Sequence, residues 1–377
     1  MNPSMATEKH GNSIGFLRLA LAGLVVLCHA YLLGNFGPDP LMRWSHGDVH
    51  FGKLAVQGFF VLSGSLVAAS YERLRCLPRF LWHRALRLAP AYWTCLIVTA
   101  FLIGPFVYAT SAEAGSYLTA APSPWRYVGQ NFFNPRSLIG IDRLFALNPW
   151  GTEINGSLWT LFYEAFCYLV VAALGLAGLL GRGRKWFLGG YLGLAMLYLL
   201  WAGAHPAWLP AQCNRLFNTE GKILVLFFLG GAAWTTGAKA TTRWNRRPWL
   251  GLACASLLVL GAPLRFYPLV APFTLAPVLF YLGDHLSLRS VEVRLGGDYS
   301  YGLYLYSYPV QQTLAHLGLY KLGLILFLFL SLAVSGALAF ASWHCVEKHA
   351  LRLKSFHPRL RSISLPPWFE FKSHDKG

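Results

Sequence analysis

The sequence predicts an all-α, polytopic integral membrane protein with about ten transmembrane helices and both termini in the cytoplasm. Three observations carry that prediction. Hydrophobic residues make up 55% of the 377 residues and charged residues only 12%, about half the charged share of an average soluble protein. Mean hydropathy is +0.44, so a soluble chain of two or three domains would lack the polar surface it needs. Finally, the excess of 32 Lys and Arg over 15 Asp and Glu collects in alternate connecting segments, as expected where basic residues hold loops on the cytoplasmic side. No nucleic-acid-binding motif accompanies that charge, and nucleic acid is not an expected partner.

A helix needs roughly 20 apolar residues to cross a bilayer core. Such runs fall at residues 14–34, 51–70, 88–109, 156–180, 186–203, 221–237, 249–263, 267–283, 299–318 and 320–346. The seventh and eighth are short and flank Pro263 and Pro268, a pattern that one broken helix would also give. With the N-terminus inside, the inner segments gather Arg73, Arg75, Arg79, Arg84 and Arg87, then Arg182, Arg184 and Lys185. They also gather Lys239, Arg243, Arg246, Arg247, Arg289, Arg294 and a basic tail, whereas the outer segments are poor in Lys and Arg.

The expected organisation is a short cytoplasmic segment over residues 1–13, a transmembrane domain over 14–353, and a basic cytoplasmic tail over 354–377. The first apolar run carries Arg18 and His29 and ends without a small-residue cleavage site, which predicts a retained helix rather than a signal peptide. An outer loop of about residues 110–155 holds Trp125, Phe132, Phe133 and Trp150. Its length and aromatics predict a folded functional element, a lid or a platform. The 7 cysteines are scattered, with no CxxC pair, and support neither a disulfide framework nor a structural zinc site. Gly181-Arg-Gly-Arg-Lys185 lacks the spacing of a phosphate loop.

Ionisable groups inside a span are costly and ask for a reason. Arg18 and His29 are eleven residues apart, which puts them within about 20° of one face and about 16 Å apart along the axis. A cation near the cytoplasmic end and an imidazole deeper on the same stripe suit a long anionic cosubstrate held by its phosphates with its far end at a base. Glu164, roughly 12 Å below the outer end of the fourth span, lies at a depth near that of His29 and is a candidate to fix its tautomer. A protonated Glu bonded to a tyrosine is the plainer alternative. Arg84 and Arg87, at i and i+3 on one face, suit phosphate through their forked donors.

Other residues carry weaker signals. Lys53 and Gln57 open the second span and face either a cavity or the headgroups. Tyr301, Tyr304 and Tyr308 share one stripe, which packing alone explains. His46, Asp48 and His50 offer metal ligands on a loop with no fourth partner, and no metal is expected. Cys28 points about 100° away from His29, so the two are not expected to form a Cys–His pair.

From Ser13 to about Leu353 the chain resembles the membrane-bound acyltransferase-3 family, which acylates cell-surface sugars and related acceptors. The marks are Arg18-x10-His29, then Gln57-Gly-Phe-Phe-Val-Leu-Ser-Gly64, then Arg84-x-x-Arg87 with Pro90 and Tyr92. They continue with Ser157-Leu-Trp159 leading to Glu164, Gly296-Gly-Asp-Tyr-Ser300 with Tyr304, Leu305 and Pro309, and Glu347 near the end of the last helix. Two positions depart from the family pattern: Val56-Gln57 replaces an acidic residue before the FFVLSG run, and Ala165 replaces a second acidic residue after Glu164.

The resemblance implies an acyl-CoA donor, most often acetyl-CoA, used as a cosubstrate rather than a resident cofactor. It implies an acceptor hydroxyl on a carbohydrate or glycolipid of the envelope, in a multi-pass protein of the bacterial inner membrane. On that basis His29 and Glu164 are the expected catalytic residues, Glu164 either orienting His29 or shaping the acceptor pocket, and Arg18, Arg84 and Arg87 are the expected donor-binding residues. Lys53, Gln57, Trp159 and Tyr304 are the expected acceptor contacts. The alternative is a proton-coupled transporter or lipid-linked-sugar flippase using the same buried charges.

Overall fold

The computed structural model describes residues 13–111, 116–135, 137–151, 153–181, 183–204, 220–236, 248–286 and 296–356. Most of segment 1–13, most of tail 354–377, and the basic stretches at 182, 239–247 and 289–294 lie outside the described residues. Among the described residues every regular element is a helix, with no strand.

Helices occupy every apolar run read from the sequence. α1 is Ile14–Leu33, a short α2 is Pro40–Trp44, α3 is Phe51–Leu74 and α4 is Leu77–Val98. α4 continues through a wide turn, Thr99–Ile103, into α5, Gly104–Thr110. α6 is Pro124–Asn131, α7 Trp159–Leu176, α8 Arg184–Ala204, α9 Glu220–Thr236 and α10 Pro248–Gly261. α11 is Tyr267–His285, α12 Ser300–His316 and α13 Leu324–Ser342, which runs on through a wide turn, Trp343–Glu347, into α14, Lys348–Arg352. Six of these helices, or unbroken helical runs, are long and apolar enough to cross a membrane.

One boundary differs from expectation, and one ambiguity is resolved as expected. The third run was expected to begin near residue 88, yet α4 begins at Leu77 and carries Arg79, Arg84 and Arg87 within it. Hydropathy rejects those residues, but a helix tolerates them when the arginines turn toward partners inside the protein, as Arg84 and Arg87 do, or lie exposed near the helix start, as Arg79 does. The seventh and eighth runs are two helices, not one broken one: Arg265 takes a left-handed conformation (φ 60°) in the turn, and Pro268 sits at the start of α11.

Prolines inside spans are accommodated locally. Pro90 lies within α4, Pro272 and Pro277 within α11, and Pro309 within α12. Threonine hydroxyls one turn on bond back to carbonyls at two of these sites, Thr94 to Pro90 O and Thr313 to Pro309 O, each at 2.8 Å. The closest helix contact joins α3 to α9. A Cβ on Gly64 would strike the Phe228 carbonyl, and one on Gly231 would strike the Val61 carbonyl. Small residues on facing helices let the backbones touch, which is how packing holds membrane helices together without a hydrophobic drive between them. The glycine that ends the FFVLSG run is therefore a contact point with α9.

The long loop between α5 and α7 is folded where described. Asn131 is fully buried and bonds Tyr127 O at 3.0 Å and Leu138 O at 2.8 Å through its amide. Trp93 of α4 donates to Phe132 O at 2.9 Å, and Gln312 of α12 donates to Glu153 O at 2.7 Å. These bonds clamp the loop against α4 and α12, and its Tyr127, Ile141, Phe145 and Ile154 are buried beneath it.

Candidate active site

Three adjoining cavities run from the start of α1 to the start of α3. The first, about 500 Å³, is lined by Ile14, Arg18, Leu66, Asp298 and Ser300. The second, about 90 Å³, is lined by Arg18, Ser63, Arg84, Arg87, Glu164 and Tyr168. The third, about 410 Å³, holds His29, Lys53, Gln57, Trp159, Trp201 and Glu220 in its walls. Arg18, Leu66 and Ser300 wall both the first and the second; Val56 and Tyr304 wall both the second and the third. Arg18 and His29 thus face the protein interior as their spacing predicts, but into neighbouring cavities rather than a single one.

The arginines are brought together from two helices. Arg18 of α1 and Arg87 of α4 each place a guanidinium nitrogen 2.5 Å from the same oxygen, Oδ2 of Asp298, in the loop before α12. Ser300 donates to the other oxygen, Oδ1, at 2.5 Å. A second nitrogen of Arg87 lies 3.8 Å from Glu347, whose side chain is almost wholly buried. Burial alone would push the Asp298 carboxyl up; the two guanidinium groups outweigh it and hold the carboxyl well below the usual carboxylate range.

Arg84 is arranged differently. It makes no ion pair within 4 Å among the described residues, donates weakly to Ser70 Oγ at 3.4 Å, and lies over the Tyr168 ring at 5.7 Å. Its Nε is buried without a partner. The three arginines do converge at one end of the cavity chain, as expected, but two of them already hold carboxylates.

Glu164 departs from its expected role beside His29. Its Oε1 accepts from Tyr168 at 2.5 Å and from Ser63 at 3.3 Å, and it lines the arginine cavity. The expectation rested on matching depth. Depth says nothing about azimuth, and α7 turns Glu164 toward α3 and Tyr168. The plainer alternative, a glutamate bonded to a tyrosine, describes its bonding partner.

His29 packs edge-on against Tyr308, with ring centres 5.0 Å apart. Tyr308 in turn donates to Glu153 at 2.9 Å. The His29 Nδ1 is buried and has no hydrogen-bond partner. Around it Gln57 accepts from Tyr267 at 2.7 Å and keeps its amide N–H groups, while Lys53 Nζ donates to Asp48 O at 3.0 Å. Trp159 lies edge-on to Tyr163 and walls the same cavity. Tyr304 was expected among the acceptor contacts; its hydroxyl instead donates to Ser157 O at 2.9 Å and meets Thr160 at 2.6 Å, so its ring serves as partition.

Cys28 is not paired with His29; its sulfur lies 3.4 Å from Nδ1 of His50. Cys28, Asp39 and His50 offer ligand atoms within 4.8 Å of one another. Each of the latter two already has a structural task. Asp39 accepts from Met42 N at 2.9 Å and Phe51 N at 3.1 Å, and His50 Nδ1 accepts from Lys53 N at 3.2 Å as the cap of α3. Burial holds His50 below its ordinary imidazole value. Asp48, from the loop read as a weak metal-ligand signal, instead accepts from Tyr267 N at 3.2 Å.

Sequence reasoning missed Asp298, Glu347, Tyr168, Trp201 and Glu220 as site residues. For Asp298 a signal existed. Buried arginines require counter-charge, acids are scarce in this chain, and Asp298 stands within the quoted Gly-Gly-Asp-Tyr-Ser segment at the matching end of its helix.

Comparison with known proteins follows the same outline. The acyltransferase domain matches residues 12–344. A protein of Shigella phage Sf6 named O-acetyl transferase is 30% identical over 91% of this chain and 97% of its own length. Nodulation protein 10 of Rhizobium leguminosarum bv. viciae is 27% identical over 94% of this chain and 97% of its own. No solved structure matches. With a domain match that spans nearly all of the helices and every residue that lines the three cavities up to Tyr304, the chain belongs to the acyltransferase-3 family.

Proposed function

We propose that the protein is a membrane O-acetyltransferase. It moves an acetyl group from cytoplasmic acetyl-CoA to a hydroxyl of an envelope or exported polysaccharide or glycolipid. The observation that carries this reading is the shared wall of Val56 and Tyr304, which sets the arginine cavity directly against the His29 cavity. The relative named O-acetyl transferase supports acetyl as the group and oxygen as the acceptor atom.

On this reading the first cavity is the cytoplasmic mouth, and both chain termini lie on that side of the inner membrane. The donor's phosphates sit among Arg18, Arg84 and Arg87, and its pantetheine arm reaches past Tyr304. His29, whose Nδ1 is enclosed by protein, meets the acceptor hydroxyl through Nε2. The hydroxyl oxygen attacks the thioester carbonyl while His29 takes its proton. The C–O bond forms, the C–S bond breaks, and the proton passes to the departing CoA thiolate. Trp159, Trp201 and Tyr198 offer ring faces to the acceptor, and Gln57, Lys53 and Glu220 offer polar groups, a combination suited to a sugar. No covalent enzyme intermediate is needed.

The test is acetyl transfer by purified protein in detergent. Wild type turns over acetyl-CoA, and His29→Ala at equal abundance loses roughly 10²-fold or more. Full activity in the variant removes the base assignment. Turnover in detergent also separates this reading from a transporter, which needs two compartments. Mass spectrometry of surface glycans with and without the protein identifies the acceptor.

A further inference from the structure

Two guanidinium groups from different helices converge on one carboxylate oxygen. That is the arrangement a phosphate oxygen receives in a built anion site: charge-assisted donors from separate elements aimed at a single point. Here the point is Oδ2 of Asp298, 2.5 Å from both Arg18 and Arg87. The clasp is reachable. Arg18, Arg87 and Asp298 keep 21%, 16% and 27% of their side-chain surface exposed, and all three line the cavities at the mouth. Glu347, by contrast, keeps only 3% and is held by Ser342 at 3.1 Å.

We propose that Asp298 is an internal anion at the donor's phosphate site, and that a phosphate-bearing thiol carrier binds by exchange with it, taking over Arg18 and Arg87. This deepens the donor reading above and rests on it. Arg84, with no ion pair and an unpartnered Nε, receives the incoming phosphate first. Glu347 stays on Arg87 throughout as fixed counter-charge. The exchange solves two problems at once. Unpaired buried cations would be strongly destabilising, and a fully vacant arginine pair would hold the spent carrier too tightly to release it. A returning carboxylate supplies the driving force for product departure.

The proposal predicts opposite signs for stability and affinity. Asp298→Asn removes the counter-charge, leaves Arg18 and Arg87 facing each other, and lowers the Tm of the ligand-free protein. CoA then binds roughly tenfold tighter, because its phosphate no longer competes and also relieves that repulsion. Titration calorimetry of the full chain with CoA and with pantetheine, which has no phosphate, reads both arms. The gain is confined to CoA.

Weaker or unchanged CoA binding in Asp298→Asn, or an equal gain for pantetheine, overturns the exchange and leaves Asp298 a purely structural brace. If Asp298→Asn does not fold, Ser300→Ala decides. It frees Oδ1 without removing charge and gives a smaller gain for CoA in the same direction, and a loss there overturns the proposal. Wild type that binds no CoA at all removes the donor reading itself, an outcome distinct from failure of the exchange.

Discussion

The two ends of the cavity chain are built on different physics. At the arginine end, two of three arginines are satisfied by charge: Arg18 and Arg87 hold Asp298, Arg87 also lies near Glu347, and the small cavity beside them sets Arg84 and Glu164 among apolar and phenol side chains. At the histidine end, polar groups are held by backbone and neutral partners. His50 caps α3, Lys53 meets a carbonyl, Gln57 accepts from Tyr267, and His29 is bordered by an aromatic edge. The first end suits a ligand with fixed negative charge, which must compete with ions already present. The second suits a neutral ligand that offers hydroxyls and ring faces. Tyr304, braced by Ser157 and Thr160, separates the two.

Substitutions at each end sharpen that contrast. Arg84→Ala removes the one site arginine with no ion pair among the described residues, and raises the KM for acetyl-CoA roughly tenfold or more while leaving the acceptor's KM in place. Equal effects on both substrates would break the division. Trp159→Ala acts the other way, raising the acceptor's KM by roughly five- to tenfold through a lost stacking face, with the donor's KM unchanged.

The smallest effect is one of pH. The folded-state value of Asp298 is depressed, so its contribution to stability is complete above the ordinary aspartate range and fades only as pH falls through the lower folded value. The difference in Tm between wild type and Asp298→Asn is therefore flat from about pH 8 to pH 5 and shrinks below about pH 4. A difference that already collapses near pH 6 would show that the carboxylate is not held by the two arginines.

Much of this was legible in the sequence, and the gaps have physical causes. Apolar runs gave all the long helices, because lipid demands length and hydrophobicity that few other contexts require. The start of α4 escaped because Arg79, Arg84 and Arg87 lower local hydropathy, though a helix carries arginines easily when, like Arg87, they pair with Asp298 and Glu347, when, like Arg84, they lie over an aromatic ring, or when, like Arg79, they stay exposed. Helical periodicity placed Arg18 and His29 toward one interior. It left Glu164 ambiguous, because the rotation of one helix about its axis relative to another is set by packing, here by Tyr168 and Ser63. The ion partners Asp298 and Glu347 lie far in sequence from Arg18 and Arg87, and only the tertiary fold brings them together.

Arg18 and His29 belong to one uninterrupted helix, so the span between them is set by local backbone hydrogen bonds and not by how the bundle is assembled. α1 is in effect a ruler. If it tilts or slides as a body, both marks move together and the measured length is preserved. Inserting one residue between the marks is far less forgiving: it lengthens the ruler by only about 1.5 Å but swings one mark through about 100°, off the scale entirely.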